Sequence, residues 1–420
     1  MENADSFNKG SMISAMFLVA GTCIGGGMLA LPVATGINGL LPSIAVMLVC
    51  YLAMTATALL LVEASLWMED EAHVGTMATK LIGKYTKPFI WLLFLFISYA
   101  SIVGYTAGAG LQVVTMFKQY LGISISREIG AFLFALIFGT VIYLGNVLVG
   151  RVNSILFIGM LFAYFGLVLM GLDEIKPEFL FKKKWSGSLI SLPLLLTAFS
   201  FQTMVPSLTP YLKKNKKALQ TAVIGGTSIA FFVYLIWQIV ILGIVPAEGP
   251  NSLKEALIKG EPATQFLREH VHGTWIIPFA EFFAFFAIAT SFLGIALGLF
   301  DFLSDGLKIK KKGFGKIFLA LLVMIPTLWI AIKYERIFLL ALDATGGYGD
   351  TILNGLIPVL MVWMGRYYLN YKNEGCLPGG KPMLLLVGSF FLAALTMEIL
   401  AHTGQVISIY EVYDIFKPEP

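Results

Sequence analysis

Long apolar segments follow one another along almost the whole chain, and they restrict its fold more than any other feature. A helix needs about 20 mainly apolar residues to cross the hydrocarbon core of a bilayer. The segments that reach this length cover residues 11–36, 39–67, 88–118, 128–148, 152–172, 188–212, 219–245, 273–303, 314–332, 337–365 and 383–403. The sequence therefore predicts an all-α polytopic membrane protein with about eleven transmembrane helices, although GGYGD at residues 346–350 interrupts the apolar run of the segment at 337–365.

The composition agrees with a chain embedded in a lipid bilayer. Of the 420 residues, 58% are hydrophobic and 13% are charged. Soluble domains carry about 25% charged residues, so this chain has too few charges to cover a surface in water. The net charge of +4 is too small to indicate nucleic-acid binding. We expect one integral membrane domain over residues 1–420 and no separate soluble domain.

The distribution of lysines predicts the orientation, because cytoplasmic loops are enriched in lysine and arginine. Dense clusters at 213–217 and 308–316 fall on the same side as the N-terminus, and the run at 182–184 falls on the other side. We therefore expect the N-terminus in the cytoplasm. The loop at about 246–272 contains SLKEALIKGEPATQFLREH, which predicts a short amphipathic helix on the outer face.

Few residues are suited to metal binding or to membrane-bound enzyme chemistry. Cys23, Cys50 and Cys376 do not have the spacing of a metal site. His270 and His272 alternate in one loop but lack the third ligand that a zinc site needs. We expect no metal, no cofactor and no enzymatic activity. A pore-forming channel would show a filter motif or rings of charge, and the sequence has neither.

The first apolar segment contains GTCIGGGMLALP at residues 21–32. Each glycine costs a helix about 1 kcal/mol relative to alanine, so this run predicts unwinding at residues 22–27. Unpaired backbone groups in lipid cost several kcal/mol each, and an unwound turn persists where it lines a cavity or binds a ligand. The alternative is close helix packing, because Gly21 and Gly25 form a GxxxG pair. On this segment alone both interpretations remain open.

A second polar interruption lies five segments later, where FSFQT at residues 199–203 is followed by Pro206. A repeat of five helices must be inverted in the membrane, which predicts repeats over 11–172 and 188–365, followed by a further helix at 383–403. Interrupted helices at matching positions of two halves indicate a transporter binding site. Free N–H groups at a helix start favour an anion, and unwound carbonyls accept from a cation, so an amino acid zwitterion suits both.

Aromatic and ionisable side chains supply further candidates. Phe199 and Phe201 flank the second break, and Tyr99, Tyr105 and Phe285 lie on other segments that could face it. Most aromatic residues of such a chain contact lipid or the protein core, so the position of Phe199 and Phe201 at the break is what favours them.

Glu281 is an ionisable residue inside a predicted span, and such residues are functional candidates by default. It could carry a proton, or it could bond a neighbouring helix or face an outer vestibule. At 100° per residue, Glu281 and Thr290 lie about 180° apart on one helix and cannot both face the same centre. Glu63 and Asp301, near the inner ends of their segments, are interpreted as solvated carboxylates or members of gate pairs.

Three stretches together resemble a known family. VAGTCIGGGMLALPVATG is similar to the first-helix signature of the bacterial hydroxy and aromatic amino acid permeases, within the amino acid-polyamine-organocation superfamily. AFSFQTMVPSLTPYL is similar to the sixth-helix signature and ATSFLGIALGLFDFLSDGLK to the eighth. The tyrosine- and tryptophan-permease branch fits best, and the similarity covers nearly the whole chain in the expected order.

This resemblance implies a leucine-transporter-type fold of two inverted five-helix repeats with helices 1 and 6 broken. It also implies proton-driven import of an aromatic amino acid, tyrosine above all, across the bacterial inner membrane. The positions that match the substrate-holding stretches are Thr22, Cys23, Ile24, Gly25, Gly26 and Gly27 in the first helix, and Phe199, Ser200, Phe201, Gln202 and Thr203 in the sixth. Gly26 and the Gln202-Thr203 pair depart from the usual pattern, which bears on the substrate and not on the fold.

Related sodium-coupled transporters place hydroxyl ligands where this chain has Thr290 and Ser291. A hydroxyl pair that bonds its own helix backbone is the alternative interpretation, so sodium coupling stays open beside proton coupling. The resemblance also leaves open a permease for another neutral amino acid, such as serine or threonine. No nucleotide-binding loop is present in the sequence, so an ion gradient or a partner must supply the energy.

Overall fold

The computed structural model describes residues 9–68, 72–271, 273, 275–334, 336–372 and 375–405, and all regular secondary structure within these ranges is helical. Nine helices there are long and apolar enough to cross a membrane, and a bent pair of helices at the N-terminus raises the number to ten. We number the spans in chain order. The unbroken ones are span 2 (Leu40–Leu66), span 3 (Thr86–Met116), span 4 (Arg127–Leu144), span 5 (Asn146–Gly171), span 7 (Lys216–Ile244), span 8 (Ile276–Gly306), span 9 (Gly313–Lys333) and span 11 (Gly380–His402).

Span 1 consists of Lys9–Cys23 and Gly26–Thr35, and span 6 consists of Leu192–Ala198 and Val205–Tyr211. The predicted breaks in helices 1 and 6 are therefore confirmed. One helix start differs from the predicted one because of a glycine. Gly145, with φ +121°, separates spans 4 and 5, so span 5 begins at residue 146 and not at 152.

Span 10 (residues 337–367) completes the predicted set of eleven and differs from the other spans in its centre. The sequence indicated an interruption by GGYGD, but the chain stays helical through Ile337–Ala344, Thr345–Leu356 and Ile357–Tyr367. The middle stretch is a π-helix, whose wider turns accommodate the glycines and polar residues without unwinding. Because this stretch is polar, span 10 is less apolar than the ten spans counted above.

The loop between spans 7 and 8 forms two short helices, Leu253–Lys259 and Ala263–Glu269, where the sequence predicted one. Ser252 begins the first by accepting a hydrogen bond from the Glu255 N–H at 3.3 Å. Gly260, in a left-handed conformation with φ +69°, ends it. The side chain of Leu253 contacts Gly36 at the end of span 1, so the loop covers that end of the broken helix.

The broken spans lie at the centre of the bundle. Every residue of Gly26–Thr35 and of Leu192–Ala198 is buried. Spans 4, 5, 9 and 11 turn apolar side chains outward, among them Phe162 and Trp329. Apolar residues on the outside and unwound backbone on the inside are the arrangement expected of a protein solvated by lipid.

Candidate binding site at two helix breaks

The break in span 1 is short. The helix ends at Cys23, restarts at Gly26 and bends by 54°. Gly25 is fully extended, with φ −163° and ψ −156°. The glycine run thus unwinds the helix within the predicted stretch, over two residues. Gly21 also lies at a close helix contact, since a Cβ there would be 3.1 Å from the Phe157 ring of span 5. The glycines of this segment therefore allow both the close contact with span 5 and the unwinding at the break.

The break in span 6 is longer and is held by a side chain. Helical geometry ends at Ala198, and Phe201 has φ −146° and ψ −2°. The Gln202 Oε1 accepts from the Phe201 N–H at 2.9 Å, and its Nε2 donates to the Met54 carbonyl of span 2 at 3.0 Å. Gln202 is wholly buried. The amide oxygen thus satisfies an N–H group in the unwound stretch, and the amide nitrogen ties that stretch to span 2, so this residue shapes the break.

The two breaks meet at one hydroxyl group. The Tyr234 hydroxyl of span 7 lies 2.5 Å from the Cys23 carbonyl oxygen and 2.7 Å from the Ala198 carbonyl oxygen. These carbonyls end the first helical half of span 1 and of span 6. A phenol has one proton to donate, so it serves one carbonyl at a time. Sequence reasoning missed Tyr234, which is one of 16 tyrosines and carries no local motif.

Spans 3 and 8 contact the first break through the residues that the sequence singled out. The Gly26 N–H donates to the Ser291 Oγ at 3.0 Å. A Cβ on Gly25 would overlap that same Oγ atom, and a Cβ on Gly26 would lie 2.5 Å from Cε1 of Tyr105. Gly25, Gly26, Tyr105 and Ser291 therefore form one cluster. Both glycines are required because backbone and side chains approach too closely for a β-carbon.

Other predicted residues lie near this cluster without a direct bond to it. Cys23 and Ile24 are buried at the break, whereas Thr22 and Thr203 are exposed. The Thr22 hydroxyl donates to the Leu18 carbonyl of its own helix at 2.7 Å.

Three further candidates are placed elsewhere. The Tyr99 hydroxyl donates to the Leu322 carbonyl of span 9 at 2.9 Å, and Phe285 packs within an aromatic cluster with Phe134 of span 4. The Thr290 hydroxyl donates to the Phe286 carbonyl of its own helix at 2.9 Å, which is the alternative that the sequence left open. The contacts of these three side chains are made within a helix or between packed helices.

Glu281 forms an ion pair in the second turn of span 8. Its Oε1 lies 2.6 Å from the Arg268 Nη2, and the Tyr120 hydroxyl donates to its Oε2 at 3.4 Å. Arg268 belongs to the loop helix Ala263–Glu269, so the pair fastens that loop to span 8. Glu281 and Ser291 are ten positions apart, which corresponds to about 15 Å of helix. Glu281 stays a predicted coupling residue, and the structure places it away from the breaks.

Asp350 of span 10 reaches the second break and was missed as a site residue. It is wholly buried, and its Oδ1 accepts from the Ser200 Oγ at 2.7 Å and from the Asn354 Nδ2 at 2.7 Å. The sequence did hold a signal, because an ionisable residue in a span is a functional candidate. That signal was lost when GGYGD was interpreted only as an interruption.

Comparison with known proteins decides the family. The model of the tryptophan/tyrosine permease family matches residues 8–398. The chain belongs to this family. It is accordingly a membrane permease and not an enzyme. This permease is 33% identical over 363 residues to the tyrosine-specific transport system 1 of Haemophilus influenzae, covering 84% of this chain and 88% of that protein. It is 27% identical over 412 residues to the tryptophan-specific transport protein of the same organism, covering 94% and 97%.

Solved structures confirm the leucine-transporter-type fold. MhsT in complex with L-phenylalanine superposes with a TM-score of 0.59 at 14% identity, covering 94% of the permease and 98% of MhsT. A mutant form of a manganese transporter from Eremococcus coleocola gives a TM-score of 0.60 at 13% identity, covering 99% and 93%. Identities this low establish the shared fold alone.

Proposed function

We propose that this permease imports an aromatic amino acid, tyrosine above all and tryptophan or phenylalanine as further substrates, by proton symport across the bacterial inner membrane. The observation that carries this proposal is the meeting of the two helix breaks at Tyr234. The relatives named for tyrosine- and tryptophan-specific transport support the substrate class. The two inverted repeats of this proposal cover 11–172 and 188–365, with 383–403 as the eleventh helix.

The breaks offer opposite partial charges to a zwitterion. The helical halves that end at Cys23 and Ala198 direct their carbonyl ends at Tyr234, and a helix C-terminus favours a cation such as the substrate ammonium. The half that starts at Gly26 presents first-turn N–H groups, which favour the carboxylate. The Gly26 N–H is held by Ser291, so the carboxylate binds beside it, at Gly25 and Gly27.

Aromatic side chains at the second break suit a substrate with a ring. Phe199 lies between Tyr51 and Tyr234, with ring centroids 6.2 Å and 5.0 Å away. Tyr105 lies against Gly26 at the first break. Aromatic pairs favour the tilted and edge-to-face arrangements seen here. We propose that the substrate ring packs between Phe199, Phe201 and Tyr105.

The burial of the broken helices suggests which side of the site is open. The halves Gly26–Thr35 and Leu192–Ala198 are buried throughout, whereas Thr22 and Thr203 are exposed. With the N-terminus in the cytoplasm, this is an inward-facing state of an alternating-access cycle. The loop helices and the Arg268–Glu281 pair then close the outer side.

Gly25 provides a test of the close approach between spans 1 and 8. We expect Gly25→Ala to weaken tyrosine binding about tenfold or more, because the new Cβ overlaps the Ser291 Oγ and overpacking costs about 1–3 kcal/mol. The extended φ of −163° suits alanine, so backbone strain does not contribute. The measurement is the dissociation constant for labelled tyrosine on purified protein.

The double variant Gly25→Ala/Ser291→Ala is the matched control. Removal of the Oγ leaves the Ser291 Cβ as the nearest atom, at 3.4 Å, an ordinary contact. We expect this variant to recover most of the binding that Gly25→Ala loses. A double variant that binds no better than the single one would contradict the packing explanation.

The transport experiment is uptake of labelled tyrosine into proteoliposomes under an imposed inward proton gradient, with a sodium gradient in parallel. We expect accumulation under the proton gradient, competition by tryptophan or phenylalanine, and loss of accumulation with a protonophore. Protein-free liposomes are the control. Sodium-dependent uptake, or uptake of serine or threonine without tyrosine, would overturn the proposal.

A further inference from the structure

Asp350 carries a carboxyl group in the interior of the bundle, and one of its two oxygens has no hydrogen-bond partner among the described residues. Its exposed fraction is 0%, and it lies in the π-helical centre of span 10. The Oδ1 atom accepts from Ser200 and Asn354, both at 2.7 Å, whereas the Oδ2 atom is buried without a hydrogen-bond partner in the described part of the chain. The hydroxyl of Thr197 directs its proton to the Leu342 carbonyl at 2.7 Å instead.

The described surroundings of Asp350 supply no counter-charge. The titratable groups on its own span and on the elements packed around it are Cys50, Tyr51 and Glu63 of span 2, Lys87, Tyr99 and Tyr105 of span 3, Asp343, Tyr348, Arg366 and Tyr367 of span 10, and Lys381, Glu398 and His402 of span 11. The Leu192–Ala198 half of span 6 contributes none. Four of these groups are basic. Arg366 lies against Glu63 at 2.6 Å and His402 against Glu398 at 3.3 Å, whereas Lys87 and Lys381 are exposed in the first turns of their spans.

An isolated buried carboxylate is strongly unfavourable, and such a group becomes neutral by taking up a proton. A proton needs a single acceptor atom, which the unpartnered Oδ2 provides. Hard metal cations such as Ca²⁺ and Mg²⁺ take about six or more oxygen ligands. The Asn354 amide donates an N–H towards this carboxyl, and the positive end of an N–H group repels a cation. The local chemistry therefore favours a proton over a metal ion.

Asp350 is connected directly to the second helix break. The Ser200 Oγ donates to the Asp350 Oδ1 and accepts from the Asn354 Nδ2 at 3.0 Å. Ser200 is half-buried and directly follows Phe199 in the unwound stretch. A change of charge at Asp350 alters the strength of the bond that holds Ser200, because bonds to an ionised acceptor are roughly twice as strong. Proton binding at span 10 thereby acts on the conformation of the break.

We propose that Asp350 is the site that binds the coupling proton, an inference that rests on the function proposed above. The carboxylate takes up one proton on the outer side and releases it on the inner side. No covalent bond to the substrate forms, and each cycle moves one proton through this group. Ser200 and Asn354 act as positioning residues that hold the Oδ1 atom and leave Oδ2 to the proton.

The transport test compares Asp350→Asn with the wild type in proteoliposomes. We expect Asp350→Asn to lose tyrosine accumulation under a proton gradient at least about tenfold, and to lose tyrosine-dependent proton uptake reported by an internal pH dye. Exchange of labelled for unlabelled tyrosine requires no net proton movement and persists. Asp301→Asn, which removes a partly exposed carboxylate paired with Lys311, is the control and retains accumulation.

Two outcomes of this test would overturn the assignment. Asp350→Asn that still accumulates tyrosine under the proton gradient would show that the proton binds elsewhere. Asp350→Asn that loses tyrosine binding together with exchange would make Asp350 a partner of the substrate ammonium. If the wild type transports no tyrosine under any gradient, the proposed function fails, and a second measurement then decides the proton site.

That second measurement is infrared spectroscopy of the reconstituted protein, titrated between about pH 5 and about pH 8. A protonated carboxyl shows a C=O stretching band that vanishes when the proton leaves. We expect the wild type to contain one such titrating band that Asp350→Asn lacks and Asp301→Asn retains. Identical band changes in the wild type and Asp350→Asn would overturn the proposal whatever the substrate is.

Discussion

Replacing Gly26 by leucine should abolish tyrosine uptake and leave the protein inserted in the membrane. The first added atom, Cβ, would lie 2.5 Å from Cε1 and 2.8 Å from Cδ1 of Tyr105, closer than packed carbon atoms come. Three further carbons would be forced into the region between spans 1, 3 and 8. The N–H that donates to Ser291 would move with the backbone. Uptake in proteoliposomes measures the loss, and size-exclusion chromatography of the solubilised protein measures folding.

Gly150→Leu is the matched control for this variant. Gly150 is an exposed residue of span 5, and a Cβ there would meet no atom within 4 Å. The same change of side chain, made where no neighbour is close, should therefore leave uptake near the wild-type level. Normal transport by a correctly inserted Gly26→Leu protein would contradict a binding site made of backbone at the first break.

The breaks could be predicted from the sequence because both depend on local chemistry. The glycine run at residues 25–27 lowers helix stability wherever it occurs, and FSFQT with Pro206 does the same in span 6. Long apolar segments give the spans because lipid requires them. Span 10 shows the limit of this reasoning. It also contains glycines and polar residues, but there they widen the helix instead of unwinding it, because the neighbouring spans hold this helix together.

The contacts across the bundle were not predictable, because they join residues far apart in the chain. Tyr234 follows the Cys23 carbonyl by 211 positions, and Asp350 follows Ser200 by 150. No periodicity or motif encodes such pairs. The sequence also left open whether Glu281 is paired, and Arg268, from the preceding loop, lies 2.6 Å away. Tertiary structure decides whether a charge inside a span is paired.

Glu63 is the clearest example of a paired charge inside a span, and it gives the second prediction with a large expected effect. The sequence favoured a solvated or gating carboxylate at the inner end of span 2. The structure shows Glu63 fully buried, with Nε and Nη2 of Arg366 at 2.7 Å and 2.6 Å and the Cys376 N–H at 3.2 Å. We expect Arg366→Met to destabilise the permease by about 3–5 kcal/mol, because the Glu63 carboxylate is left buried without its partner. The measurement is the thermal midpoint of the detergent-solubilised protein.

The double variant Glu63→Gln/Arg366→Met distinguishes a lost attraction from an uncompensated charge. Glutamine keeps an oxygen for the Cys376 N–H and removes the charge, and replacing both members of a buried pair is often nearly neutral. We therefore expect the double variant to recover most of the midpoint lost in Arg366→Met. Lys311→Met is the control, because its pair with Asp301 is partly exposed, at 39% and 33% of the two side chains, and is worth about 0–1 kcal/mol. A double variant as unstable as Arg366→Met would mean that the ion pair itself, and not relief from an unpaired charge, stabilises the contact between spans 2 and 10.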